Sequence, residues 1–236
     1  MLRSISDLEN YAISAVDGTI GHVKDLFFDD ETWGIRYFVV DTGAWLSSRR
    51  VLVSPLSMGQ PDWTGKVLPV SITKNQVKNS PNIDTDRPVS RQHEIGFLEY
   101  YGYPYYWGGA GLWGSSANPS MMLPDTRSGG FETADSNRPL RESVSGQLDD
   151  HSLRSCKAVM NYHIEAQDGH IGHVRGMLVD EESWAIRYMI VQASHWWSDH
   201  KVLLEPSSIQ EVRWHDHAVT IDLTQQGVKD ALPYGE

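Results

Sequence analysis

Residues Asp17–Val40 read DGTIGHVKDLFFDDETWGIRYFVV, and residues Asp168–Val191 read DGHIGHVRGMLVDEESWAIRYMIV. The second stretch lies 151 positions after the first, and the match continues in both directions without a gap. Leu2-Arg3-Ser4 aligns with Leu153-Arg154-Ser155, Asn10-Tyr11 with Asn161-Tyr162, and Trp45 with Trp196. Further on, Pro55 aligns with Pro206, Trp63 with Trp214, and Val77-Lys78 with Val228-Lys229. About 30 of about 77 aligned positions are identical, far more than chance gives at one fixed offset. Two units of about 80 residues indicate a duplicated small domain, since a solenoid needs three or more shorter repeats.

Within the first unit the pattern is that of strands. Tyr11–Ala15 is a short strand, and Asp17-Gly18 supplies the positive φ of a tight turn. Thr19–Phe28 reads as a long strand in which Gly21 marks a bulge or bend. Asp29–Thr32 is a polar loop. Trp33–Val40 alternates with period two, as a half-buried strand does. Val51–Val53 is a short strand stopped by Pro55, and Val67–Ile72 alternates again. Thr73 is placed to cap a short helix over Lys74–Lys78. The second unit repeats this order from Leu153, with its own helix capped by Thr224 and running through Lys229. The expected fold is mainly β: two small β-barrels in tandem, each with a short C-terminal helix, packed as a pseudo-twofold pair. The domain boundaries fall at 1–80, 81–150 and 151–236.

The middle segment, 81–150, is too short for a third unit. Ser90–Tyr101 reads as a helix capped by Ser90. The run GYPYYWGGAGLWG follows over Gly102–Gly114, and a linker rich in Ser, Pro, Gly, Asp and Arg leads into the second unit. Tyr100, Tyr101, Tyr103, Tyr105, Tyr106, Trp107 and Trp113 allow two readings. They are a strap packed onto the barrels or onto a second chain, or they are an exposed aromatic patch for a partner protein. A stacking platform for single-stranded nucleic acid needs basic neighbours, which these rings lack.

The chain has 236 residues with 20 Lys and Arg against 31 Asp and Glu, a net charge of −11. That surface repels phosphate backbones and anionic lipid, so nucleic acid is not expected as a partner. Cys156 is the single cysteine, which excludes an internal disulfide and any paired-cysteine metal or redox site. The N-terminus lacks the apolar core of a signal peptide, and no run reaches the ~20 apolar residues of a membrane span. These features predict a soluble, cytoplasmic protein. No Gly-rich phosphate loop, GxSxG or HExxH motif is present, so neither an enzyme nor a bound cofactor is expected.

The second unit is rich in histidine. His215 and His217 would share a face of an extended segment, and His195 or His200 could complete a zinc or nickel site with them. His170 and His173 are three apart on a strand, which predicts opposite faces. His22 and His173 hold equivalent places and are expected to be structural, bonding a backbone carbonyl beside Gly21 and Gly172. Arg36 and Arg187 also correspond, and each is expected to pair with a carboxylate of the nearby acidic turn.

The motifs DGTIGHVKDLFFDD, WGIRYFVVDTGAWL and RVLVSP resemble the PRC-barrel family, named for the cytoplasmic domain of the photosynthetic reaction centre H subunit. The chain is most similar to bacterial tandem PRC-barrel proteins. Ser80-Pro81, Ser90-Arg91, Glu94 and Tyr100–Trp107 match their middle segment, and Leu153–Val174 matches their opening. The resemblance implies a non-catalytic scaffold that binds a protein partner, with a homo-oligomer as a further expectation. Two other roles stay open. One is an accessory of a membrane electron-transfer complex, attached peripherally. The other is a metal- or small-ligand-binding stress protein that uses the second-unit histidines.

Overall fold

The structure is a computed structural model that describes residues 1–82, 89–107, 109–122, 152–193 and 201–235. In the first unit, β1 (Leu2–Ser4) and a one-turn helix, α1 (Ile5–Leu8), lead into β2 (Ala12–Ala15), β3 (Gly18–Asp29) and β4 (Gly34–Asp41). β5 (Arg50–Val53), β6 (Val67–Pro69) and α2 (Lys74–Asn79) complete it. The middle segment contributes β7 (Val89–Ser90) and α3 (Arg91–Tyr101). The second unit repeats the order with β8 (Ser152–Ser155), α4 (Cys156–Val159), β9 (His163–Ala166), β10 (Gly169–Asp180), β11 (Ile186–Ala193) and β12 (Lys201–Leu204). It ends with β13 (Ile209–Arg213), β14 (Ala218–Ile221), α5 (Gln225–Lys229) and β15 (Leu232–Pro233).

The two sheets have the same strand order. The first runs β5-β4-β3-β2-β6, and the second runs β12-β11-β10-β9-β14, with β13 and β15 added at its two ends. β6 lies parallel to β2 as β14 does to β9, whereas the pairs within β2–β5 and β9–β12 are antiparallel. Among the described residues neither sheet closes into a ring of hydrogen bonds, so the expected closed barrels are two open sheets. Their bends sit at bulges. Opposite β2 the register slips at Ile20, and opposite β9 it slips at Ile171. The glycine that follows each slip has a close backbone neighbour. A Cβ on Gly21 would lie 2.0 Å from the Asp41 carbonyl oxygen, and one on Gly172 would lie 1.9 Å from that of Gln192. No side chain fits at either position.

Equivalent backbone strain recurs in the two units. Asn10, Trp33 and Lys66 have φ of 66°, 58° and 54°, and Asn161, Trp184 and His217 have 67°, 59° and 48°. Left-handed φ is costly for a tryptophan unless its surroundings hold it. Here the restraint is reciprocal: Ile186 N–H donates to the Trp33 carbonyl at 2.7 Å, and Ile35 N–H donates to that of Trp184 at 2.8 Å.

The units also exchange their opening strands. β1 pairs antiparallel with β10 of the other unit, and β8 pairs with β3. Each acidic turn then meets an arginine from the opposite unit: Arg3 binds Glu181 at 2.9 Å and Arg154 binds Asp30 at 2.7 Å. Repeat boundaries at 80 and 151 are therefore crossed by sheet hydrogen bonds, and one apolar core runs through both units.

The helix starts follow the sequence reading. Thr73 and Gln76 form a capping box on α2, and the Thr224 hydroxyl accepts from Gly227 N–H at 3.1 Å on α5. The turn aspartates add a second acceptor, Asp17 from Lys74 N–H at 2.8 Å and Asp168 from Gln225 N–H at 2.7 Å. Ser90 precedes α3 without capping it through its side chain, and its hydroxyl contacts His93 Nδ1 at 2.8 Å instead.

Candidate functional site

Arg36 and Arg187 each occupy a bulge. The registers Phe27↔Tyr37 then Phe28↔Ile35, and Leu178↔Tyr188 then Val179↔Ile186, leave one arginine unpaired in each sheet. A bulge re-aims the side chain it carries. In the first unit Arg36 is buried, at 1% exposure. Its Nη1 donates to the Leu112 carbonyl at 2.7 Å, and its Nη2 donates to Thr32 Oγ1 at 2.7 Å and to Asp29 Oδ2 at 3.3 Å. Its guanidinium lies 3.8 Å from the Tyr106 ring centre and 4.8 Å from that of Trp113. Charge and aromatic face attract strongly when both are desolvated.

The cover comes from α3 and the aromatic segment after it. Phe97 meets the Tyr37 ring edge-on at 5.0 Å. Arg91 and Glu94, both buried, pair at 3.0 Å, and Arg91 Nη1 also donates to Tyr106 Oη at 2.9 Å. Tyr106 donates to the Glu94 carboxylate in a short hydrogen bond. Burial pushes the Glu94 carboxyl up to about 7, against the pull of Arg91 and the Tyr106 hydroxyl. Burial likewise holds Tyr106 and Tyr37 well above the ordinary phenol value. At the far end of the segment, Trp113 Nε1 donates to the Ser183 carbonyl at 2.8 Å, which joins the cover to the second unit.

The aromatic segment is thus an internal strap. Tyr103, Tyr105, Tyr106 and Trp113 are buried, Tyr101 and Trp107 partly so, and Tyr100 is exposed with its hydroxyl on the Gln76 carbonyl at 2.8 Å. The buried rings are occupied inside the chain and are not a free surface for a partner.

The second unit differs at the same place. Arg187 is exposed and has no ion pair or hydrogen bond among the described residues. The expected pairing with the acidic turn is met for Arg36 and, among the described residues, not for Arg187; the counterpart of Asp29 in its turn is Asp180. Ser183 donates to it through its hydroxyl at 2.6 Å and its N–H at 2.8 Å. Burial opposes ionisation of Asp180, but these Ser183 bonds and the Glu182 N–H outweigh it and hold the carboxyl below its ordinary value. Arg187 and the half-buried Tyr188 line an open cleft of about 880 Å³ with Leu2, Trp33, Leu112 and Glu205.

The histidines assemble differently from the pattern expected. His195 and His200 lie outside the described residues, and His215 is exposed. His217 stacks edge-on against Tyr162 at 5.1 Å. Among the described residues, the group that comes together is His163, His170 and His173. The bulge at Ile171 is the reason. It inserts a residue between His170 and His173, so both turn to the face that carries His163, and the expected opposite-face placement does not hold. Their ring centres lie 5.5, 4.7 and 5.6 Å apart for the pairs 163–170, 163–173 and 170–173. Burial, and then the charges of His163, His170 and Arg175, lower the His173 pKa. His22 is exposed beside Asn10, Lys24, Asp41 and Gly43. Neither His22 nor His173 bonds a backbone carbonyl among the described residues.

The sheet order, the Gly21 approach and the Arg36 bulge all fall within the span matched by one family model, that of the PRC-barrel domain, over residues 2–75. Residues 2–75 match the PRC-barrel domain. The second unit repeats the strand order of this PRC-barrel domain, and its opening strand β8 is hydrogen-bonded into the matched region. An uncharacterized protein of Deinococcus radiodurans is 42% identical to the chain over 73 residues, which make up 31% of the chain and 26% of that relative. The chain therefore spans about a quarter of the length of the curated relative it matches. No helix among the described residues is long and apolar enough to cross a membrane.

Proposed function

We propose that this chain is a non-catalytic docking module, and that a partner protein docks on the second-unit face around Arg187 and Tyr188. The match of residues 2–75 to the PRC-barrel domain supports reading the chain as a non-catalytic module. One observation carries the finer reading. Among the described residues, the same face is covered in the first unit by an aromatic segment and left open in the second. The covered face acts as a template for the occupant of the open one. An arginine raised on a bulge takes a backbone carbonyl on its Nη and an aromatic ring on its face. The occupant predicted at Arg187 is a polypeptide segment that brings Tyr or Trp and a free main-chain carbonyl. Aromatic anchors beside arginine are the usual energetic centre of such contacts.

Photo-cross-linking from position 188 in the native host tests this reading, in chains with Arg187 and with Arg187→Glu. Support would be a reproducible adduct whose cross-linked peptide carries Tyr or Trp and which disappears with Arg187→Glu. Adducts indifferent to Arg187→Glu, or none in the unaltered chain, would overturn it.

A further inference from the structure

We propose that His163, His170 and His173 form a binding site for a divalent transition metal of the zinc class. The three side chains each offer one nitrogen, and those atoms lie within 4.8 Å of one another. Tetrahedral zinc holds imidazole nitrogens about 2.0–2.1 Å away, which sets them roughly 3.3 Å apart. The rings must therefore close by about 1.5 Å at most. His163 and His170 are exposed and His173 half-buried, so rotation about the side-chain torsions supplies that movement.

The backbone beneath them is fixed. His163 and His173 are direct cross-strand partners in β9 and β10, and His170 stands opposite Glu165. The bulge at Ile171 keeps His170 and His173 on one face, and Gly172 holds the strand against Gln192. Three imidazoles with a fourth position open to water match the ligand count of an accessible zinc site. Nitrogen donors favour zinc, nickel and copper over calcium or magnesium. The net charge of −11 favours approach of any dication.

The first unit provides an internal control. The equivalent positions there are Ala12, Thr19 and His22, a single imidazole on the same bulged hairpin. The shared fold therefore does not require the cluster, which the second unit carries alone. Metal binding here needs no occupant at the Arg187 face, so the two sites stand or fall separately.

The test is equilibrium dialysis of the full, tag-free chain against Zn²⁺, repeated with Ni²⁺. The unaltered chain is expected to retain one equivalent of metal. His163→Gln and His170→Gln should each weaken binding by about tenfold or more, since losing even an outer partner of a metal ligand costs 10–100-fold. The double variant His215→Gln/His217→Gln and the single variant His22→Gln should bind as the unaltered chain does. Circular dichroism checks the fold, and either exposed-site variant suffices if the other misfolds. No retained equivalent, or one unaffected by His163→Gln and His170→Gln, would overturn the proposal. Equal weakening in every histidine variant would also overturn it, because that pattern means diffuse surface binding.

Discussion

The faces around Arg36 and Arg187 share a strand, a bulge and an acidic turn, yet one is sealed and the other is open. Two differences accompany this. Residue 32 is a threonine whose hydroxyl accepts from Arg36, and Asp29 Oδ2 accepts from the same guanidinium. Residue 183 is a serine whose hydroxyl turns the other way and donates to Asp180. The second difference is position along the chain. The segment after the first unit folds back over Tyr37 and Arg36. The strand and its bulge occur in both units, whereas among the described residues only the first has such a cover.

The comparison can be broken most sharply at the arginines. Arg36→Ala removes one member of a buried charge network and should destabilise the fold by about 3–5 kcal/mol. Arg187→Ala at the exposed counterpart should change stability by no more than about 0.5 kcal/mol. Urea unfolding of the two variants reads both, and equal losses would contradict the sealed-versus-open assignment.

The next effect depends on pH. The folded Glu94 carboxyl titrates near 7 and the unfolded one near 4.5, so the folded state holds its proton more tightly. The stability due to this group is complete below pH 4.5 and is lost as pH rises through about 7. Unfolding free energies of the unaltered chain and of Glu94→Gln should diverge by roughly 3 kcal/mol across that window, with the unaltered chain losing the more. Parallel profiles would show that Glu94 is not held in the sealed network.

Asp25 and its counterpart Gly176 offer a smaller asymmetry. Asp25 accepts from Lys157 N–H at 3.0 Å and from the Ser155 hydroxyl, both at the start of α4 in the other unit. Asp25→Ala should cost about 1 kcal/mol in thermal unfolding, the worth of a helix cap. The smallest effects belong to the exchanged strands, where the contacts are symmetric. Arg3→Ala and Arg154→Ala break partly exposed pairs and should each cost less than about 1 kcal/mol, by similar amounts. A large inequality between them would mean that the strand exchange is not equivalent on the two sides.

The constant offset of 151 residues establishes the duplication, and period-two alternation places the long strands. Asp-Gly turns and threonine caps bound them, because these signals act over a few residues and need no tertiary partner. Gly21 and Gly172 were legible as bends for the same reason. The metal candidates were not. Spacing on a regular strand separates His170 from His173, and only the extra residue of a bulge brings them together; a doubled Ile-Gly after an Asp-Gly turn was the one local hint. The candidate docking face was hidden for a different reason. Whether an arginine is sealed or open depends on which segment lies over it, and sequence distance does not encode that.

The sequence by itself determined that this protein is a duplicated, mainly β chain whose residues 2–75 match the PRC-barrel domain, with no paired-cysteine chemistry. Those properties follow from periodicity, repetition and composition, which are local or one-dimensional. The tertiary structure decided that β1 and β8 change places, that the aromatic segment is a strap over Arg36, that Arg187 is bare and that His163 joins His170 and His173. The exchanged strands and the strap turn on contacts between residues far apart in the chain, and the histidine cluster on a bulge inside one hairpin; in each, burial and hydrogen-bond geometry choose among arrangements that the local pattern allows equally.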